Sequence, residues 1–95
     1  MSSYPTRDIR RALLSKGFEE EHTHHIVFRL LVGGRKTEVR TRLSHGAREY
    51  GSSLLAEVAR QMGLRKSELD AFVQCPMSYE AYVRLLIERG TIEGS

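Results

Sequence analysis

The chain has 95 residues, 40% hydrophobic and 28% charged, and carries a net charge of +3. That length and composition give one domain with a single modest core, needing neither metal nor disulfide to fold. A lone cysteine, Cys75, excludes a disulfide-stapled scaffold, and no apolar run is long enough to span a bilayer. The charge is unevenly spread. Residues 1–66 hold thirteen Lys/Arg against seven Asp/Glu, whereas residues 67–95 hold two against five. A basic, Arg-rich body suits a polyanion or an acidic protein, because guanidinium groups grip phosphate and carboxylate in pairs of hydrogen bonds. It also suits a plain solvated surface.

The first predicted element is a helix over Thr6–Lys16. Thr6 is its N-cap, Asp8 favours its dipole, and Ile9, Ala12 and Leu13 form one apolar stripe. Gly17 follows as the terminating residue, with Phe18 folding back onto the last turn. Glu19-Glu20-Glu21 reads either as a short edge strand or as a loop. From about His24 to Val32 the sequence alternates, which predicts a strand. Ile26, Phe28, Leu30 and Val32 then face inward, with His22 and His24 near that face, while His25, Val27, Arg29 and Leu31 take the other. Gly33-Gly34 suits a tight hairpin. On the return strand, Lys36–Leu43, the residues Thr37, Val39, Thr41 and Leu43 alternate with Lys36, Glu38, Arg40 and Arg42, giving one buried and one wet face. Ser44-His45-Gly46 begins a loop reaching Gly51.

Three helices follow. One starts at Ser52 or Ser53 and runs to Met62, with Gly63 as its stop. The next covers Lys66–Gln74 and ends before Pro76. The last is capped by Ser78, repeats Tyr82, Leu85 and Leu86 at i, i+3, i+4, and stops at Gly90. The predicted class is α+β: a small antiparallel sheet of two to three strands packed on helices, with the sheet's other face toward solvent. The whole chain, 1–95, is read as one domain.

A helix ending in Lys16-Gly17-Phe18, a His24-His25-Ile26-Val27-Phe28 strand and a return strand closed by Arg42-Leu43-Ser44-His45-Gly46 carry a resemblance. Over about residues 6–63 the chain resembles the HicA (YcfA-like) family of mRNA interferase toxins. These are small basic proteins with a double-stranded-RNA-binding-domain-like fold, in helix-strand-strand-strand-helix order. Their signature is Gly-Ser-x-His at the start of a strand, and its final His is needed for RNA cleavage. Here Thr23 matches the Ser, His24 the variable position and His25 the functional His, while His22 stands where the family has Gly. The resemblance implies a 6–63 core with a C-terminal helical extension at 64–90, an mRNA endoribonuclease activity, and an antitoxin protein as partner.

The residues can be read without the family. Metal-free RNA cleavage needs a base for the ribose 2′-OH, an acid for the leaving oxygen and cations for the phosphorane. An imidazole titrates near neutral pH and serves for either proton transfer. His25 is the candidate base. His24 and His45 are secondary candidates, because a hairpin centred on Gly33-Gly34 returns the chain toward the start of the His strand. Candidate RNA contacts are Arg10 and Arg11 on the first helix, Arg29, Arg35 and Lys36, Arg40 and Arg42 on the wet strand face, and Arg48 in the loop. Two further alternatives stand: a non-catalytic RNA-binding module, and a protein-interaction domain whose basic face meets an acidic partner. His22, His24 and His25, with His45 or Glu20, are residue types that Zn²⁺ takes, but no standard ligand spacing is present, so no metal and no other cofactor is expected. No basic-then-apolar leader opens the chain, and with Cys75 unpaired the expected location is cytoplasmic. Oligomeric state is not legible.

Overall fold

The computed structural model describes residues 4–22, 26–43, 49–74 and 76–92. The fold is α+β, as the alternation and helical spacing predict. In chain order the elements are β1 (Tyr4–Pro5), α1 (Thr6–Ser15), β2 (Phe18–His22), β3 (Ile26–Val32), β4 (Arg35–Leu43), β5 (Glu49–Tyr50), α2 (Ser52–Gln61), α3 (Lys66–Gln74) and α4 (Tyr79–Glu88). β2, β3 and β4 form an antiparallel sheet in that order, and β1 pairs with β5 in a separate two-stranded sheet. From α1 to α2, leaving out the short β5, the order is helix, three strands, helix.

Local chemistry explains the boundaries. Pro5, not Thr6, occupies the N-cap of α1, with extended backbone (φ −58°, ψ 141°) and no side-chain cap. The chain enters α1 directly from β1, where Tyr4 pairs with Tyr50, so the cap falls one residue before the expected one and the helix starts at Thr6. Gly17 has φ +90°, a left-handed conformation that reverses the chain between α1 and β2. The acidic triplet is strand, not loop: Glu19, Glu20 and Glu21 pair with Arg29, Phe28 and Val27 of β3. Gly33 and Gly34 both have positive φ, as a two-residue hairpin turn requires.

Between Arg29↔Arg40 and Leu31↔Lys36, β3 advances two residues while β4 advances four. β4 therefore bulges at Thr37–Val39. The Thr37 hydroxyl donates to the Leu30 carbonyl at 2.9 Å, and Val39 N donates to the Thr37 hydroxyl at 3.2 Å. Two extra residues preserve the in–out parity that one would reverse. Val39, Thr41 and Leu43 are accordingly buried, and Lys36, Glu38, Arg40 and Arg42 are exposed.

The helices cover the face that presents Phe18, Phe28, Leu30 and Leu43. α3 and α4 belong to the same core. Phe72 and Tyr82 have ring centroids 6.1 Å and 6.0 Å from that of Phe18 and 5.1 Å from each other. The buried Tyr82 hydroxyl donates to the Met62 carbonyl at 2.8 Å, and burial raises its pKa. Tyr79 donates to the Leu31 carbonyl at 2.9 Å, joining α4 to the sheet. Ser78 caps α4 as expected, accepting from Ala81 N. No helix among the described residues is long and apolar enough to cross a membrane.

Candidate nucleic-acid interface

The three strands of the main sheet end in one row. His22 pairs with Ile26, and Ile26 pairs with Leu43. Neighbouring strands lie about 4.8 Å apart, so the row spans roughly 10 Å. The chain leaves His22 into Thr23-His24-His25 and re-enters at Ile26, and it leaves Leu43 into Ser44-His45-Gly46-Ala47-Arg48. The candidates His24, His25, His45 and Arg48 lie outside the described residues. Both segments that carry them are nevertheless rooted at the same end of the sheet. His22, exposed at that end, has Nε2 2.8 Å from Glu20 Oε2.

On the sheet face away from the helices the register sets two rows of charge. Glu19, Arg29 and Arg40 stand side by side, and Glu21, Val27 and Arg42 form the row nearer the histidine end. Arg40 and Arg42 are exposed, with no hydrogen-bonded carboxylate among the described residues. Arg42 N donates to Gln61 Oε1 at 3.4 Å, and the buried Thr41 hydroxyl donates to the same oxygen at 2.6 Å. Gln61 thus ties α2 to the outer edge of β4 and holds the backbone that carries these two arginines. An open groove there is lined by Val27, Arg40, Thr41, Arg42 and Gln61.

The remaining basic candidates are differently placed. Arg29 is only partly exposed. Its Nη1 donates to the Thr37 carbonyl at 3.1 Å, and its buried Nε has no hydrogen-bond partner, with Glu21 Oε1 4.0 Å away. Lys36 reaches across to Glu21 at 2.7 Å and lies 4.0 Å from Glu19. That hydrogen bond, then the Lys36 charge, with Arg29 and Arg40 adding to it, holds Glu21 below the usual carboxylate range. The same hydrogen bond and the Glu21 charge raise Lys36, with neighbouring Arg29 acting against them. Arg35 is exposed at the hairpin, the far end of the sheet from the histidine segments. Arg10 on α1 donates through both Nε and Nη2 to Glu20, at 3.3 and 2.8 Å, and this hydrogen bond is the main reason the Glu20 pKa is lowered. Arg11 lies 4.0 Å from Asp8. The structure therefore groups Arg29, Lys36, Arg40 and Arg42 on one face, and leaves Arg10, Arg11 and Arg35 away from it.

Two contributors were not singled out from sequence. Gln61 has no signature beyond being a polar residue near a helix end. The carboxylates of β2 carry no signature of their partners in the sequence, where they read as edge strand or loop: Glu21 takes Lys36 of β4 and Glu20 takes Arg10 of α1. Tyr50, at the entrance to α2, is buried opposite Tyr4 and so offers no ring for stacking on a base. Among the described residues no group of three or more His, Cys, Asp or Glu is placed to hold a metal. No family model, no curated protein and no solved structure matches the chain.

Proposed function

We propose that this chain is an RNA-binding protein of toxin–antitoxin type that cleaves mRNA without a metal. The observation that carries the reading is the common root of the two histidine-bearing segments at His22, Ile26 and Leu43, beside the exposed Arg40 and Arg42. The helix–three-strand–helix order supports it, as does the Thr23-His24-His25 signature.

The chemistry follows from the residue types. A neutral His25 takes the proton from a ribose 2′-OH. The resulting oxygen attacks the adjacent phosphorus, the bond from phosphorus to O5′ breaks, and a protonated His24 or His45 returns a proton to O5′. Charge gathers on the phosphoryl oxygens during this step, and Arg40, Arg42 and Arg48 are the cations to meet it. The product ends are a 2′,3′-cyclic phosphate and a 5′-hydroxyl. An activity on mRNA, with an antitoxin protein as partner, belongs in the cytoplasm. Expression in a bacterial host tests the reading: wild type is expected to arrest growth, and His25→Ala to relieve the arrest. Normal growth with soluble wild type would overturn the toxin assignment.

A further inference from the structure

Glu21 sits where a polyanion's charge would sit. Its carboxylate accepts from Lys36 at 2.7 Å and lies 4.0 Å from Arg29 Nε, and Arg40 stands directly across from Arg29. Two arginines opposite each other on adjacent strands repel. The carboxylate relieves part of that repulsion. Arg29 is not a loose surface cation. The bulge of β4 holds its Nη1 through the Thr37 carbonyl at 3.1 Å, while its buried Nε finds no hydrogen-bond acceptor. The guanidinium is thus fixed by the fold but incompletely satisfied by the fold's own carboxylate.

We infer that Arg29, Lys36 and Arg40 form a phosphodiester-binding subsite on the outer sheet face, and that Glu21 occupies it as an intramolecular counter-anion until an RNA phosphate displaces it. This rests on the RNA-binding reading and adds to it a specific subsite and its built-in competitor. Displacement is feasible because an exposed ion pair is weak. The Lys36 and Glu21 side chains retain 58% and 27% of their exposure. A phosphate arriving in the presence of Glu21 must break that pair and then sit beside a carboxylate. Removing the carboxylate charge removes both penalties.

The test uses the full chain and a fluorescent RNA hairpin with a stem of about 16 base pairs, in EDTA to suppress adventitious metals. His25→Ala is the background, so that the RNA stays intact. Glu21→Gln is expected to tighten binding about threefold and to steepen the log–log salt dependence by about one. Glu80→Gln, on the exposed first turn of α4, is expected to change neither. In a Lys36→Met background the gain from Glu21→Gln is expected to shrink. Tighter binding by Glu21→Gln alone supports the subsite. Equal tightening by Glu80→Gln overturns it in favour of a net-charge effect. Unchanged or weaker binding by Glu21→Gln, with wild type binding well, overturns the subsite and leaves the RNA-binding reading standing. Absence of RNA binding in every variant and in the parent overturns both.

Discussion

Lys16 Nζ donates to the Phe72 carbonyl at 2.5 Å and lies 4.9 Å from the centre of the Phe72 ring. It also donates to the Met77 carbonyl at 2.7 Å. A buried ammonium at the end of α1 thus serves the final turn of α3, where helix carbonyls lack partners and the helix dipole favours a cation. This joins the C-terminal helices to the helix–sheet core beside the aromatic packing. Lys16→Met keeps the apolar stem but removes the donors, leaving buried carbonyls unsatisfied, and is expected to destabilise the fold by about 2–4 kcal/mol. A lower urea midpoint at unchanged slope checks it. An unchanged midpoint would show that water serves those carbonyls equally well.

Gly17 and Tyr79 are fitted to each other. Gly17 has φ +90°, and a methyl group built there collides with the Tyr79 ring. Gly17→Ala is therefore opposed twice, by backbone conformation and by sterics, and is expected to lose about 2–3 kcal/mol. Adding Tyr79→Leu should recover the steric part only, giving a coupling energy in a double-mutant cycle. Strict additivity of the two substitutions would contradict the contact.

Acid stability should report the clip between α3 and α4. Hydrogen bonding from Arg89, then from the Arg65 backbone N–H, lowers Glu68 to about 2. Its folded-state pKa lies below its unfolded value, so the unfolded chain binds more protons between the two. The contribution is complete above about pH 5 and is lost as pH falls toward about 2. The pair is partly solvated, with Glu68 and Arg89 side chains 22% and 31% exposed. Glu68→Gln is accordingly expected to lose only about 1 kcal/mol near neutral pH. Urea melts across pH should show the gap between wild type and variant closing as acid is added.

The helices and the in–out pattern of the sheet were legible because each rests on local periodicity. Phe28 and Leu30 inside, Arg40 and Arg42 outside, and a helix over Lys66–Gln74 all follow from spacing. Even the bulge at Thr37–Val39 leaves no trace in the alternation, since two extra residues restore the parity. What spacing does not encode is long-range partnership. The pairing of Tyr4 with Tyr50, the burial of Lys16 under Phe72 and the reach of Lys36 to Glu21 join residues distant in sequence, and they appear only once the chain is folded. The site divides the same way. The histidines stand out as residue types, but which arginines share a face with each other was decided by register.

RNA affinity should separate the arginines by their partners. Arg40→Ala and Arg42→Ala each remove an exposed cation with no hydrogen-bonded carboxylate among the described residues, so each should weaken binding and reduce the log–log salt slope by about one. Arg10 is already held by Glu20, and Arg10→Ala should change the slope far less. Equal effects at all three positions, measured by fluorescence anisotropy across a salt series, would mean that RNA sees only net charge.

The cleavage assay decides most directly. Purified protein is incubated with end-labelled RNA in excess EDTA, beside His25→Ala prepared identically. The account expects wild type to cut, leaving cyclic-phosphate ends, and the variant to leave the RNA whole. Intact RNA with wild type, or equal cutting by the variant, would contradict it.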